Sequence, residues 1–204
     1  DLKLLNGAAI FSDTFAAGDA GTVTISANSI TIDGQGKPTA ISSNAHKDSS
    51  GQAGGVQVTA TQNLTVLNGG SIDSNTFATG DAGTIRVSAK NITLDGQGKV
   101  AAISSSAYPD SSGHAGSVEI TATQNLSVLN GGNVFSDTHA SGNAGTVKVS
   151  ANDVTIDGQG ALTIISSSAY RGSSGKAGNV ELTVSQNLSL LNGGHVLSDT
   201  FATG

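Results

Sequence analysis

The chain has 204 residues, a net charge of −6, no Cys, Met or Trp, 28 Gly, and aromatics at only 3%. The absence of cysteine excludes disulfide staples and thiolate metal sites, and 9 Lys and Arg against 15 Asp and Glu leave no basic stripe for nucleic acid. With so few aromatics and no Met, Trp or Cys the core must be aliphatic, and no apolar run approaches the ~20 residues of a membrane helix.

Leu5-Asn6-Gly7 opens a unit that returns at Leu67-Asn68-Gly69, Leu129-Asn130-Gly131 and Leu191-Asn192-Gly193, a period of 62 residues. Inside each unit a Gly-x-Ala-Gly signature occurs twice, at Gly18 to Gly21, Gly51 to Gly54, Gly80 to Gly83, Gly113 to Gly116, Gly142 to Gly145 and Gly175 to Gly178. Self-similarity at this scale predicts a stack of equal units rather than a globular domain. Repeats at 5–66, 67–128 and 129–190, with a partial one at 191–204, make residues 1–204 a single solenoid segment of about 6.5 coils. The sequence starts and stops inside a repeat, so we expect a segment of a longer array.

Each half-repeat contains three short alternating segments, the first set being Thr22 to Ser26, Ser29 to Ile32 and Ala40 to Ser43. Alternation puts Val23, Ile25, Ile30, Ile32 and Ile41 on one side of the backbone. The second half repeats this with Val56, Val58, Leu64, Val66 and Ile72, and no segment has helical spacing. These features predict an all-β chain, a parallel β-helix with three short strands per coil and about 31 residues per coil. Right-handed winding follows from the preference of parallel crossovers. Coil lengths alternate, 33 residues from Gly21 to Gly54 and 29 from Gly54 to Gly83.

Stacking the coils in register generates rows. Thr24, Gln57, Arg86, Glu119, Lys148 and Glu181 fall on one outward row whose last four members alternate in sign. A second outward row reads Thr31, Thr65, Thr93, Ser127, Thr155, Ser189. A third is all serine, Ser12, Ser43, Ser74, Ser105, Ser136, Ser167 and Ser198, and is also expected to face outward.

The candidate site is a row of rings. Phe15, His46, Phe77, Tyr108, His139, Tyr170 and Phe201 recur every 31 residues, and Phe11 and Phe135 lie on a neighbouring row. Such a row either braces the turn after the third strand or offers a platform for sugars, as exposed apolar strips mark interaction sites. The turn aspartates Asp33, Asp95 and Asp157 sit two coils apart, about 9.6 Å, and cannot share a calcium ion. No metal or other cofactor is therefore expected. Asn63, Asn91, Asn125 and Asn187 match a glycosylation pattern because outward Asn and Thr flank an inward aliphatic residue. His46, His114, His139 and His195 show no ligand spacing, and the acids repeat with the coils instead of forming one unique pair. No catalytic residue is assigned, and we expect no enzyme.

The Gly-x-Ala-Gly-x-Val-x-Ile opening, the run Asn187 to Gly194 and the Ile-Ser-Ser strand resemble the repeats of filamentous-haemagglutinin-like exoproteins exported by two-partner secretion. That resemblance implies a right-handed β-helix, an extracellular or cell-surface location, and a structural or adhesive shaft in adhesion, biofilm or matrix. The partners to expect are host or matrix glycans, neighbouring filament subunits, or a second copy stacked end to end. A carbohydrate-binding surface is the alternative, and a polysaccharide lyase or hydrolase a more distant one.

Overall fold

A computed structural model describes residues 1–202. Those residues form a β-solenoid of about 6 turns with ~31 residues per turn, all-β and parallel throughout. Each strand pairs with its equivalent one coil away, as Ile30 does with Leu2 on one side and Leu64 on the other. Two parallel sheets result, one of nine strands carrying the first and second segments of every coil, the other of seven carrying the third.

Three separate strands per coil hold only at the start. Val23–Ala27 and Ile30–Asp33 are distinct, but from the third coil the first two segments run together as Ile85–Asp95, Ser117–Leu129, Thr146–Asp157 and Asn179–Leu191. Alternate coils carry one extra residue at this corner, four steps from Ala122 to Leu126 against three from Ala151 to Val154. The ladder absorbs the extra residue as a register shift between Ala122 and Asn125, so pairing continues through the bend.

The alternating aliphatic residues fill the interior. Val56, Val58, Leu64, Val66 and Ile72 are all at most 1% exposed. Burial of five such side chains, each worth about 1.5–3 kcal/mol, supplies the main stabilisation of a coil. Ile25 is half-buried because no first segment lies beneath it, and Leu188 and Leu190 in the last coil are exposed for the same lack of a neighbour.

The serine row runs opposite to expectation: it points in, not out. Ser43, Ser74, Ser105, Ser136 and Ser167 are fully buried. Period-two alternation from the inward Ile41 places Ser43 on the same face, and the corner then needs a hydroxyl there. Ser105 Oγ donates to the Gly83 carbonyl at 2.6 Å and to the Ser74 carbonyl at 3.1 Å, and Ser136 repeats this with Gly116 and Ser105. The hydroxyls thus satisfy carbonyls that the turn would otherwise bury unpaired.

The same corner explains the Gly-x-Ala-Gly signature. A Cβ at Gly51 would run into the carbonyl oxygen of Gly18 one coil below, and one at Gly54 into that of Gly21. Gly80, Gly83, Gly113, Gly116, Gly142, Gly145, Gly175 and Gly178 face the equivalent carbonyls in turn. Backbones touch along two glycine columns, which leaves no room for any side chain.

Candidate functional site

The rings follow directly on a bridge column in which Thr14, Ala45, Thr76, Ala107, Thr138, Ala169 and Thr200 pair coil to coil. This column sets the height of each ring. All seven stand in one file, with centroids alternately 4.2 and 6.3 Å apart at the first two steps and planes inclined by 6° and 13°. The alternation persists: 4.5 Å for Phe77 to Tyr108 and for His139 to Tyr170, 6.2 Å for Tyr108 to His139. The file is therefore three close pairs, Phe15 with His46, Phe77 with Tyr108, and His139 with Tyr170, followed by Phe201.

Stacking along the axis turns ring faces toward one another and leaves mainly edges to solvent. The terminal rings are the exposed ones, Phe15 at 67% and Phe201 at 50%. Phe11 is exposed beside Phe15, whereas Phe135 is half-buried.

Beneath the rings runs a polar ladder that reading the sequence missed. Asp13, Asn44, Asn75, Ser106, Asp137, Ser168 and Asp199 occupy equivalent positions, and a side-chain oxygen of each of the first six accepts a backbone N–H one coil on. Asn75 Oδ1 takes the Ser106 N–H at 2.8 Å and the Ser104 hydroxyl at 2.8 Å. Asp137 Oδ1 takes the Ser168 N–H at 2.7 Å, and its Oδ2 the Ser166 hydroxyl at 2.8 Å. The signal was present, since every position two before a ring is Asp, Asn or Ser.

Electrostatics of this layer follow from burial. Desolvation pushes the Asp137 carboxyl up to about 6, against hydrogen bonds from Ser168 and Ser166 that lower it. Desolvation likewise pushes Asp73 up to about 6, opposed by Ser71, Ser104 and Asn75 and assisted by the charge of Asp13. Burial raises the Tyr108 and Tyr170 phenols, with Asp73 and Asp137 respectively adding to the effect, and burial lowers His139. Asp13 bonds His46 Nε2 at 2.8 Å and accepts from the Ser42 hydroxyl at 3.1 Å. The Ser42 hydroxyl contacts the acid and not the imidazole, so His46 is not placed to take its proton.

Elsewhere the outward rows behave as local braces. Arg86 Nε lies 3.0 Å from Glu119 and Lys148 Nζ 3.3 Å from Glu181, all four side chains well exposed. Shallow grooves lie between this row and the Thr59, Ser88, Thr121 row. Asn91 Nδ2 donates to Asn63 Oδ1 at 3.1 Å and Asn125 Nδ2 to Asn91 Oδ1 at 2.9 Å, so the glycosylation-like asparagines form a surface amide ladder. Asp33, Asp95 and Asp157 each accept the N–H of the Gln two residues on, which holds Gln35, Gln97 and Gln159 at positive φ. His114 Nδ1 accepts the Asn143 N–H at 2.9 Å. Among the described residues no three His, Asp or Glu side chains converge to hold a metal ion.

No protein-family model matches the chain, and neither a curated protein nor a solved structure shows significant similarity to it.

Proposed function

We propose that this chain is a structural or adhesive shaft segment of a secreted or cell-surface bacterial exoprotein, working by length and by a repeated surface in adhesion, biofilm or extracellular matrix. One observation carries the proposal: side chains recur in columns along the coils, and the ring file and the polar ladder beneath it link each coil to the next. The glycine columns and serine corners serve the stack alone. The resemblance to filamentous-haemagglutinin-like repeats supports the location, and the β-helix is compatible with it.

No enzymatic role is proposed, because Asp13, Asp73 and Asp137 already take hydroxyl or backbone donors. A sugar platform needs free ring faces, and stacking occupies most of them. The partners proposed are glycans held weakly at many coils, neighbouring filament subunits, or a second copy end to end. Repeated weak contacts raise avidity by roughly 10²–10⁴ without a strong single site. A glycan panel together with a reducing-sugar release assay tests this reading. We expect weak binding that is distributed over the coils and no turnover; a tight site confined to one coil, or turnover of any polysaccharide, would refute it.

A further inference from the structure

The turn Leu-Asn-Gly-Gly occurs at residues 67–70 and again at 129–132 with the same backbone. Asn68 and Asn130 have φ of 43° and 45°, and Gly69 and Gly131 have φ of 90° and 87°. What differs is the residue one coil on. Gly131 is buried, and its N–H donates to Thr163 Oγ1 at 2.8 Å. Gly7, in the first turn of this kind, does the same with Thr39 at 2.7 Å. The position equivalent to Thr39 and Thr163 beside Gly69 is Ala101, which offers no side-chain oxygen. Among the described residues Gly69 N–H has no hydrogen-bond partner, and Asn68 and Gly69 are both partly open to water.

We propose that Asn68 is a self-modification site, converting to aspartate or isoaspartate through the free Gly69 nitrogen while the identical turn at Asn130 is protected. The Gly69 nitrogen, its proton passing to hydroxide, attacks Asn68 Cγ. The new N–Cγ bond closes a succinimide as the Cγ–Nδ2 bond breaks and ammonia leaves. Water then opens the ring at one of its two carbonyls. The net change is side-chain amide plus water to carboxylate plus ammonium, with no oxidation or reduction.

The turn must open for nitrogen and Cγ to meet, and the bonds that resist opening differ between the two turns. At Asn130 the nucleophilic nitrogen itself is tied to Thr163. At Asn68 the peptide is held only through its carbonyl, by a 3.2 Å bond from Gly36 in an exposed turn. A donor on that carbonyl also draws electrons from the amide and makes its N–H easier to remove. One neutral hydrogen bond on the nitrogen corresponds to about a 2- to 10-fold difference in rate. Each event adds a negative charge on a coil whose neighbours on either side carry Asp33 and Asp95, since Leu67 pairs with both. The modification therefore marks the age of a rod and loosens one edge of it.

Peptide mapping by mass spectrometry of the intact chain, aged at mildly alkaline pH, tests this. Deamidation should be about 2- to 10-fold faster at Asn68 than at Asn130. Thr163→Ala should raise the Asn130 rate toward that of Asn68, and Ala101→Thr should slow Asn68. Equal rates in the unaltered chain overturn the proposal, and so do substitutions that leave both rates unchanged. Should Ala101→Thr fail to fold, the wild-type comparison and Thr163→Ala still decide, because global unfolding accelerates both sites together.

Discussion

Replacing Asp137 by asparagine should stabilise the rod at neutral and alkaline pH and have no effect in acid. Asp137 is 3% exposed and its carboxyl is raised from 3.8 to about 6. A folded-state value above the unfolded one means that the acid contributes stability fully present below pH 3.8 and lost as pH rises through about 6. Roughly two units at about 1.4 kcal/mol each puts the loss near 3 kcal/mol. Asparagine keeps the geometry, since Asn75 in the same column already accepts an N–H and a serine hydroxyl through Oδ1. Asp137→Asn therefore removes the charge and keeps the bonds on Oδ1, which takes the Ser168 N–H at 2.7 Å and lies 3.0 Å from the Ser166 hydroxyl. Urea unfolding of both chains across pH measures the difference. Asp73, also raised to about 6, contributes its own pH dependence to both chains and cancels in the comparison. We expect the variant to match the wild type below pH 3.8 and to exceed it by up to about 3 kcal/mol above the Asp137 transition. A variant less stable than wild type at alkaline pH, or an unchanged pH profile, would show that the buried acid is not penalised as argued.

Three further outcomes follow from the stack. Ser105→Ala leaves the Gly83 carbonyl without its 2.6 Å donor and should cost about 1–3 kcal/mol in denaturant unfolding. Gly113→Ala drives a Cβ into the Gly80 carbonyl and should break pairing between those coils, whereas Gly98→Ala meets no atom and should cost only about 1 kcal/mol for its positive φ; hydrogen exchange around each site separates the two. Arg86→Ala removes an exposed ion pair and should change stability by under about 1 kcal/mol, less still in high salt, as salt-dependent unfolding would show.

Much of this fold was legible because a solenoid writes its contacts as a period. The inward aliphatics, the alternating coil length and the charge row of Arg86, Glu119, Lys148 and Glu181 all follow from aligning one coil on the next, and the pairing of those four residues agrees. The ring row was equally visible, although its pairing into close couples depends on side-chain packing that no spacing encodes. The serine row was misjudged because serine is read as a surface residue, while parity with Ile41 already placed Ser43 inside. The polar ladder escaped notice because Asp, Asn and Ser look unrelated as letters. They share the one property the position needs, a short side-chain oxygen able to accept an N–H. The merging of first and second strands does not follow corner length, since Val56–Ala60 and Asn63–Leu67 stay separate with the extra residue while Ile85–Asp95 is continuous without it.

The proposed action by length and repetition is tested by varying length alone. Arrays with increasing numbers of the 62-residue unit, displayed on a cell surface, would be imaged by electron microscopy and scored for attachment to glycan-coated or matrix-coated surfaces. Rods should lengthen by about 9.6 Å per unit, with attachment rising as units are added whichever repeat is duplicated. Attachment that stays constant with unit number, or that depends on the presence of one particular coil, would contradict it.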